Sequence, residues 1–141
     1  MPHSPVMTYK LEQNYRPVIL IVEDHEDTRN LLRIVLEGDG YVILEVADGL
    51  EAVEVAGREH PDLVIMDGSL PRLDGLSATR RMRQEEFLDD MPIVALSGHN
   101  SPEFQDAARA AGCNACITKP FDFAELKSTL HRLLPSYSHA A

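Results

Sequence analysis

Basic residues are scarce in this chain, cysteines scarcer, and a long apolar run is missing; each shortage closes off a class of function. With 13 Lys and Arg against 23 Asp and Glu, the formal charge is −10. Such a chain lacks the clustered positive charge that a nucleic acid or an anionic membrane surface attracts. Its two cysteines, Cys113 and Cys116, provide no disulfide framework. The first residues show no basic segment leading into an apolar stretch and a small-residue cleavage site, so the expected setting is a reducing cytoplasm. The longest purely aliphatic run, Val18 to Val22, is far short of the roughly 20 residues that cross a bilayer. Neither a membrane span nor an anchor is expected, and the natural partners are expected to be proteins.

What is present is organised. The 141 residues suffice for one domain with its own core. Residues 1–16 mix Pro, Ser and charged side chains without a sustained period and read as a loose leader. The domain is expected over 17–134, and 135–141 (PSYSHAA) reads as a loose tail, with no second domain expected after Leu134. Within 17–134, aliphatic runs begin at Val18, Tyr41, Asp62 and Pro92, with a weaker one at Ala115. Short runs rich in Val and Ile read as buried strands. The segments between them have helical spacing, with Leu31, Leu32, Val35 and Leu36 in the first and Leu126, Leu130, Leu133 and Leu134 in the last. Ser101-Pro102 reads as an N-cap with Pro in the first turn, Gly112 as a helix stop, and Asp122 with Glu125 as a capping box flanked by Phe121 and Leu126. Strand and helix alternate five times, which predicts an α/β, doubly wound parallel sheet with helices on both faces. In such sheets ligands bind beyond the carboxyl ends of the strands, where the strand order reverses.

The residues at those ends are chemically pointed. Glu23 and Asp24 follow the first strand, Asp67 ends the third, Ser97 the fourth, and Lys119 follows the fifth. An acid after a strand often does no more than favour the start of the next helix, and that reading suffices for Asp24 or Asp27 alone. Asp67 is different, because Gly68, Ser69, Leu70 and Pro71 follow it rather than a helix. Three converging carboxylates repel one another. A hard divalent cation such as Mg²⁺ offsets that repulsion and keeps positions open for phosphate oxygens. One carboxylate can then attack phosphorus, as in aspartyl-phosphate chemistry. A lone Ser after a strand is usually a turn residue and a lone Lys before Pro is usually solvated, but the ordered set of all five suits a phosphoryl group.

The segments ILIVEDHEDTRNLL, PDLVIMDGSLPRLDG, IVALSG and ITKPFD resemble the receiver domains of bacterial two-component response regulators, in the stand-alone, chemotaxis- or phosphorelay-like form. The likeness runs from Val18 to Leu134. It implies a flavodoxin-like sheet of five strands in the order 2-1-3-4-5. It also implies that Asp67 is the phosphoacceptor, that Asp24, Asp67 and the Ser69 carbonyl bind Mg²⁺ directly, and that Glu23 binds it largely through water. Lys119 and Ser97 would hold phosphoryl oxygens, and Ser97 would draw its loop inward as the switch. The implied partners are a sensor histidine kinase or histidine phosphotransfer protein upstream and a protein target downstream. Output would come from binding, from relay, or from a homodimer through the face of the fourth helix, fifth strand and fifth helix. Slow self-dephosphorylation would be the only catalytic activity.

The chain also departs from that family. Cys116 stands where an aromatic residue is usual on the fifth strand, so no large ring can report phosphorylation from there. Gly68 replaces a bulkier apolar residue and is expected to loosen the loop or open the pocket. Ser69 and His99 occupy positions that, in the family the chain resembles, line the route of the hydrolytic water. Cys113 and Cys116 form a CxxC, but a redox pair of that kind opens a helix after a strand, whereas this pair enters the last strand and reads as inert thiols. His25 and His99 lack a local ligand pair and read as solvent-facing. Two other functions fit less well: a pseudo-receiver that binds without being phosphorylated, and a phosphatase-like hydrolase using Asp67. The hydrolase would want a second acid where Ser69 stands.

Overall fold

Five-residue blocks of Val, Ile and Leu have no solvent-facing side, so they become strands covered on both faces. The computed structural model describes residues 15–98 and 101–134. The strands are β1 (Val18–Val22), β2 (Val42–Val46), β3 (Leu63–Asp67), β4 (Ile93–Ser97) and β5 (Ala115–Thr118). The helices between and after them are α1 (Glu26–Gly38), α2 (Gly49–Glu59), α3 (Gly75–Arg83), α4 (Pro102–Ala111) and α5 (Phe123–Leu133), with a short 3-10 turn at Glu86–Leu88. All strand pairs are parallel and the order is β2-β1-β3-β4-β5. The order reverses between β1 and β3, where Val22 lies opposite Met66.

Alternate side chains of the central strands leave opposite faces of the sheet and build two cores. Leu20, Val22, Val64, Met66 and Ala95 pack with Ala52 and Ala56 of α2, Ala78 and Met82 of α3 and Ala108 of α4. Ile19, Ile21, Ile65, Leu96 and Ile117 pack with Leu32 and Leu36 of α1 and Leu126 and Leu130 of α5. The apolar face expected of the first helix is therefore narrower than its spacing suggested. Leu32 and Leu36, one turn apart, are buried, while Leu31 lies about 100° round the helix and is 51% exposed.

Several helix starts are held as their sequences predict. Ser101 accepts from the Phe104 amide with Pro102 following it, Asp122 accepts from Glu125, and Gly112 ends α4 at a φ of 115°. Asp48 and Asp74 cap α2 and α3 in the same way. The expected leader falls mostly outside the described residues, as do the tail over 135–141 and His99. Of the leader's described end, the Tyr15 hydroxyl donates to Asp62, and the same carboxylate accepts from the Val18 amide at 2.7 Å.

Candidate functional site

The carboxyl ends of β1, β3, β4 and β5 bring the chemically active side chains to one edge of the sheet. Asp67 is the last residue of β3, Glu23 and Asp24 follow β1, Ser97 ends β4 and Lys119 follows β5. Glu23, Asp67 and Ser97 are buried. The chain after Asp67 does not enter a helix until Gly75. A side chain cannot be fitted at either glycine that holds this loop down: a Cβ on Gly75 would stand 2.2 Å from the Asp67 carbonyl oxygen, and one on Gly49 only 1.8 Å from the Leu73 carbonyl oxygen. The first contact seats the start of α3 against the backbone of Asp67, and the second seats α2 against the loop.

Lys119 joins the two buried acids. Its Nζ lies 3.1 Å from Glu23 Oε1 and 3.3 Å from Asp67 Oδ1. The Ser69 amide donates to Asp67 Oδ1 at 3.1 Å, and the His25 amide donates to Glu23 Oε2 at 3.0 Å. The Lys119 amide donates to the Ser97 carbonyl at 2.7 Å, which ties the two strand ends together, and the peptide bond from Lys119 to Pro120 is cis. One oxygen or nitrogen from each of Glu23, Asp24, His25 and Asp67 falls within a set whose members are all within 4.8 Å of one another. Two deep carboxylates and a more exposed one, Asp24, make a donor set that suits a hard divalent cation.

The charges in this cluster are not in balance. Burial, with the Glu23 charge adding to it, pushes the Asp67 carboxyl up to about 6 against the pull of the Ser69 amide and Lys119. Glu23 goes the other way: burial would raise it, but hydrogen bonds from the His25 amide and Lys119, and one with Asp67, outweigh burial and hold it below its ordinary value. Burial alone would lower Lys119, and its two carboxylate partners raise it instead. A single ammonium thus serves two buried acids, and the site has room for more positive charge.

Every strand-end residue singled out in the sequence lies on this edge. The Ser69 side of the loop contributes its amide to Asp67. Asp24 makes no side-chain cap on α1, whose N-cap is His25, while Asp27 lies with Glu26 in the first turn, where an acid favours the helix start. His25 is solvent-facing, as expected, at 75% exposure, yet its Nδ1 also lies 3.2 Å from Glu23 Oε2 and 3.4 Å from Asp24 Oδ1. Arg29, which sequence reasoning passed over, donates to the Glu23 carbonyl at 2.9 Å and fixes the backbone of the acid pair. Its position one helical turn into α1 was the available signal. Gly68 corrects an expectation: no opening lies beside it, because the Phe104 ring of α4 fills the space, and a Cβ there would stand 3.2 Å from Phe104 Cζ. Cys113 is buried, Cys116 is half-buried, and both are free thiols raised chiefly by burial, which argues against a redox pair and leaves Cys116 a slow thiol with partial access to solvent.

The chain is similar to known proteins over most of its length. A family model described as the response regulator receiver domain matches residues 19–131. The polar-differentiation response regulator DivK of Brucella ovis is 34% identical over 116 residues, covering 82% of this chain and 94% of that protein. The receiver domain of sensor histidine kinase PA1611 from Pseudomonas aeruginosa PAO1, solved with a magnesium ion coordinated in its active-site cleft, is 38% identical with a TM-score of 0.80, over 86% of this chain and 99% of that one. Chemotaxis response regulator CheY4 of Vibrio cholerae is 29% identical with a TM-score of 0.80, over 84% of this chain and 99% of that one.

Proposed function

The chain belongs to the response regulator receiver domain family, and from that premise we propose that it is a phosphorylation switch with Asp67 as phosphoacceptor. The observation that carries the reading is the buried Asp67 carboxylate held 3.3 Å from Lys119 beside Glu23 and Asp24. A carboxylate oxygen of Asp67 forms the new bond to phosphorus as the bond from phosphorus to a partner's histidine nitrogen breaks, and the imidazole leaves with the bonding electron pair. The partner is a sensor histidine kinase or a histidine phosphotransfer protein.

Glu23, Asp24, Asp67 and the Ser69 carbonyl are the groups that would hold Mg²⁺, with Glu23 acting largely through water. The magnesium in the cleft of the similar Pseudomonas domain supports that choice. Bound there, the ion would neutralise charge shared between the carboxylates and the incoming phosphoryl oxygens. Lys119 is within reach of Asp67 and would pair with one phosphoryl oxygen. The Ser97 hydroxyl would hydrogen-bond another. Ser69 and His99 would set how long the phosphoryl group survives.

The protein is a signalling component rather than a metabolic enzyme, with slow self-dephosphorylation as its own chemistry. Its output would pass to a downstream protein through changed affinity, or through a homodimer on the face of α4, β5 and α5. Its place of action would be the cytoplasm. Among the described residues no helix is long and apolar enough to cross a membrane.

The test is incubation with Mg²⁺ and a small phosphodonor, followed by intact-mass measurement of the wild type and of Asp67→Asn. One phosphoryl group should appear on the wild type and none on the variant. A wild type that stays unmodified would establish a pseudo-receiver. Rapid multiple turnover of a generic phosphate ester would instead point to a hydrolase.

A further inference from the structure

Two positions on the route out of the site are small, Gly68 after the acceptor and Cys116 on β5. One ring, Phe104, stands against the first and packs in the same apolar cluster as the second. Its Cζ and Cε1 would lie 3.2 and 3.6 Å from a Cβ on Gly68, so the ring occupies the space a side chain would take there and packs over the backbone beside Asp67. Phe104 is half-buried in the first turn of α4, where its amide is held by the Ser101 side chain at 3.1 Å. The cluster it packs against contains Ala95, Ala108 and Cys113, with Cys116 at its border. Beyond the ring, a cleft between α4 and β5 is lined by Ala108, Arg109, Cys113 and Cys116, among others.

The backbone after Asp67 therefore has a packed neighbour on either side. On the α3 side, Gly75 abuts the Asp67 carbonyl, and its amide donates to the Gly68 carbonyl at 3.4 Å. On the α4 side it meets the Phe104 ring, and the Gly68 amide is tied to the Leu96 carbonyl at 2.8 Å. Close-packed groups respond to displacement by repacking rather than by compressing. A shift of the Asp67–Gly68 backbone is thus passed to the ring, and through the ring to the start of α4.

We propose that Phe104 couples the phosphorylation state of Asp67 to the α4–β5 face, through its contact with Gly68. The proposal rests on the phosphoacceptor reading above. It assigns Phe104 as a positioning residue: it touches neither phosphorus nor metal, and acts by moving α4 relative to β5. The coupling requires two arrangements of that face, and the contact biases the balance between them.

Cys116 is a native reporter of this face. Alkylation with a small maleimide, with the modified cysteine located by peptide mass, is measured with and without phosphodonor and Mg²⁺, while intact mass records phosphoryl uptake. In the wild type, phosphorylation should change the Cys116 alkylation rate severalfold. In Phe104→Leu, phosphoryl uptake should persist, which also shows that the variant is folded, and the rate change should largely disappear. Gly68→Ala, which presses a methyl on the ring, should alter the unphosphorylated Cys116 rate without any donor. An equal rate response in wild type and Phe104→Leu at equal phosphoryl occupancy would overturn the coupling role. Absence of phosphoryl uptake in the wild type would overturn the phosphoacceptor reading, and this proposal with it.

Discussion

Glu23 and Asp67 are buried carboxylates at the ends of neighbouring parallel strands, and both lean on the one ammonium of Lys119, at 3.1 and 3.3 Å. Without further positive charge this pair costs stability, because burial penalises ionisation and the two acids repel. The charge balance of the site favours an added cation over the resting fold, and most of its testable behaviour follows.

Asp67→Asn removes the less comfortable charge while keeping the shape. The metal-free variant should be more stable than the wild type near neutral pH by about 1–2 kcal/mol, since Lys119 offsets part of the cost of the buried charge. Divalent-cation affinity should fall and phosphoryl uptake should vanish. Urea melts with and without Mg²⁺, together with intact mass, check the three effects; a metal-free variant less stable than wild type would contradict the electrostatic account.

The raised Asp67 carboxyl fixes a pH window. Its value moves from 3.8 to about 6 on folding, so the folded state holds this proton more tightly. The corresponding stability is fully present below about 3.8 and is lost as pH rises through about 6. Glu23, lowered from 4.5, acts in the opposite sense: its stability is present above 4.5 and lost as pH falls below it. Between about 4.5 and 6 the Asp67 contribution dominates at this site. Protons and metal compete for the same oxygens, so the rise in Tm produced by Mg²⁺ should be small at about pH 5 and large at about pH 8. Thermal melts across this range decide the matter, and a shift independent of pH would remove Asp67 from the metal set.

Two glycines in the same helix should respond in opposite directions. Gly49→Ala drives a methyl to 1.8 Å from the Leu73 carbonyl oxygen, which should cost about 3 kcal/mol or more and disturb the acceptor loop. Gly57→Ala meets nothing within 4 Å and should stabilise the protein by about 0.5–1 kcal/mol through helix propensity. Chemical denaturation of the pair separates close contact from propensity.

Arg83 is a structural clamp away from the acid cluster. Its guanidinium donates to the carbonyls of Leu88, Asp89 and Gly112 and to the side chain of Asn114, at 2.7 to 3.1 Å. Arg83→Met should therefore lower stability by about 2–3 kcal/mol, since several carbonyls lose a charged donor and only some regain water. Phosphoryl uptake by the folded fraction should be unchanged, as intact mass and a urea melt together would show.

Much of this protein is written locally. Blocks such as VILIV and LVIMD have no polar face, so their burial as parallel strands follows from composition, and Asp48, Asp74, Ser101 and Asp122 mark the helix starts they cap. The site residues were legible for a related reason: in a doubly wound sheet the strand ends meet at one edge, so Glu23, Asp24, Asp67, Ser97 and Lys119 could be listed from their places in the chain.

Other features depend on contacts that no local pattern encodes. Leu31 and Leu32 are alike in sequence, and only the angle at which α1 meets the sheet exposes one and buries the other. Arg29 holding the Glu23 carbonyl, and Lys119 shared between acids 44 residues apart in the chain, arise from packing between elements. Gly68 read alone suggests looseness; only the fold brings Phe104, 36 residues later, over it. By itself the sequence determined the strands, the helix caps and the order of reactive groups, because those depend on neighbours along the chain. The tertiary structure decided which charges share a partner and which ring fills which space, because those depend on distances between segments that the sequence does not join.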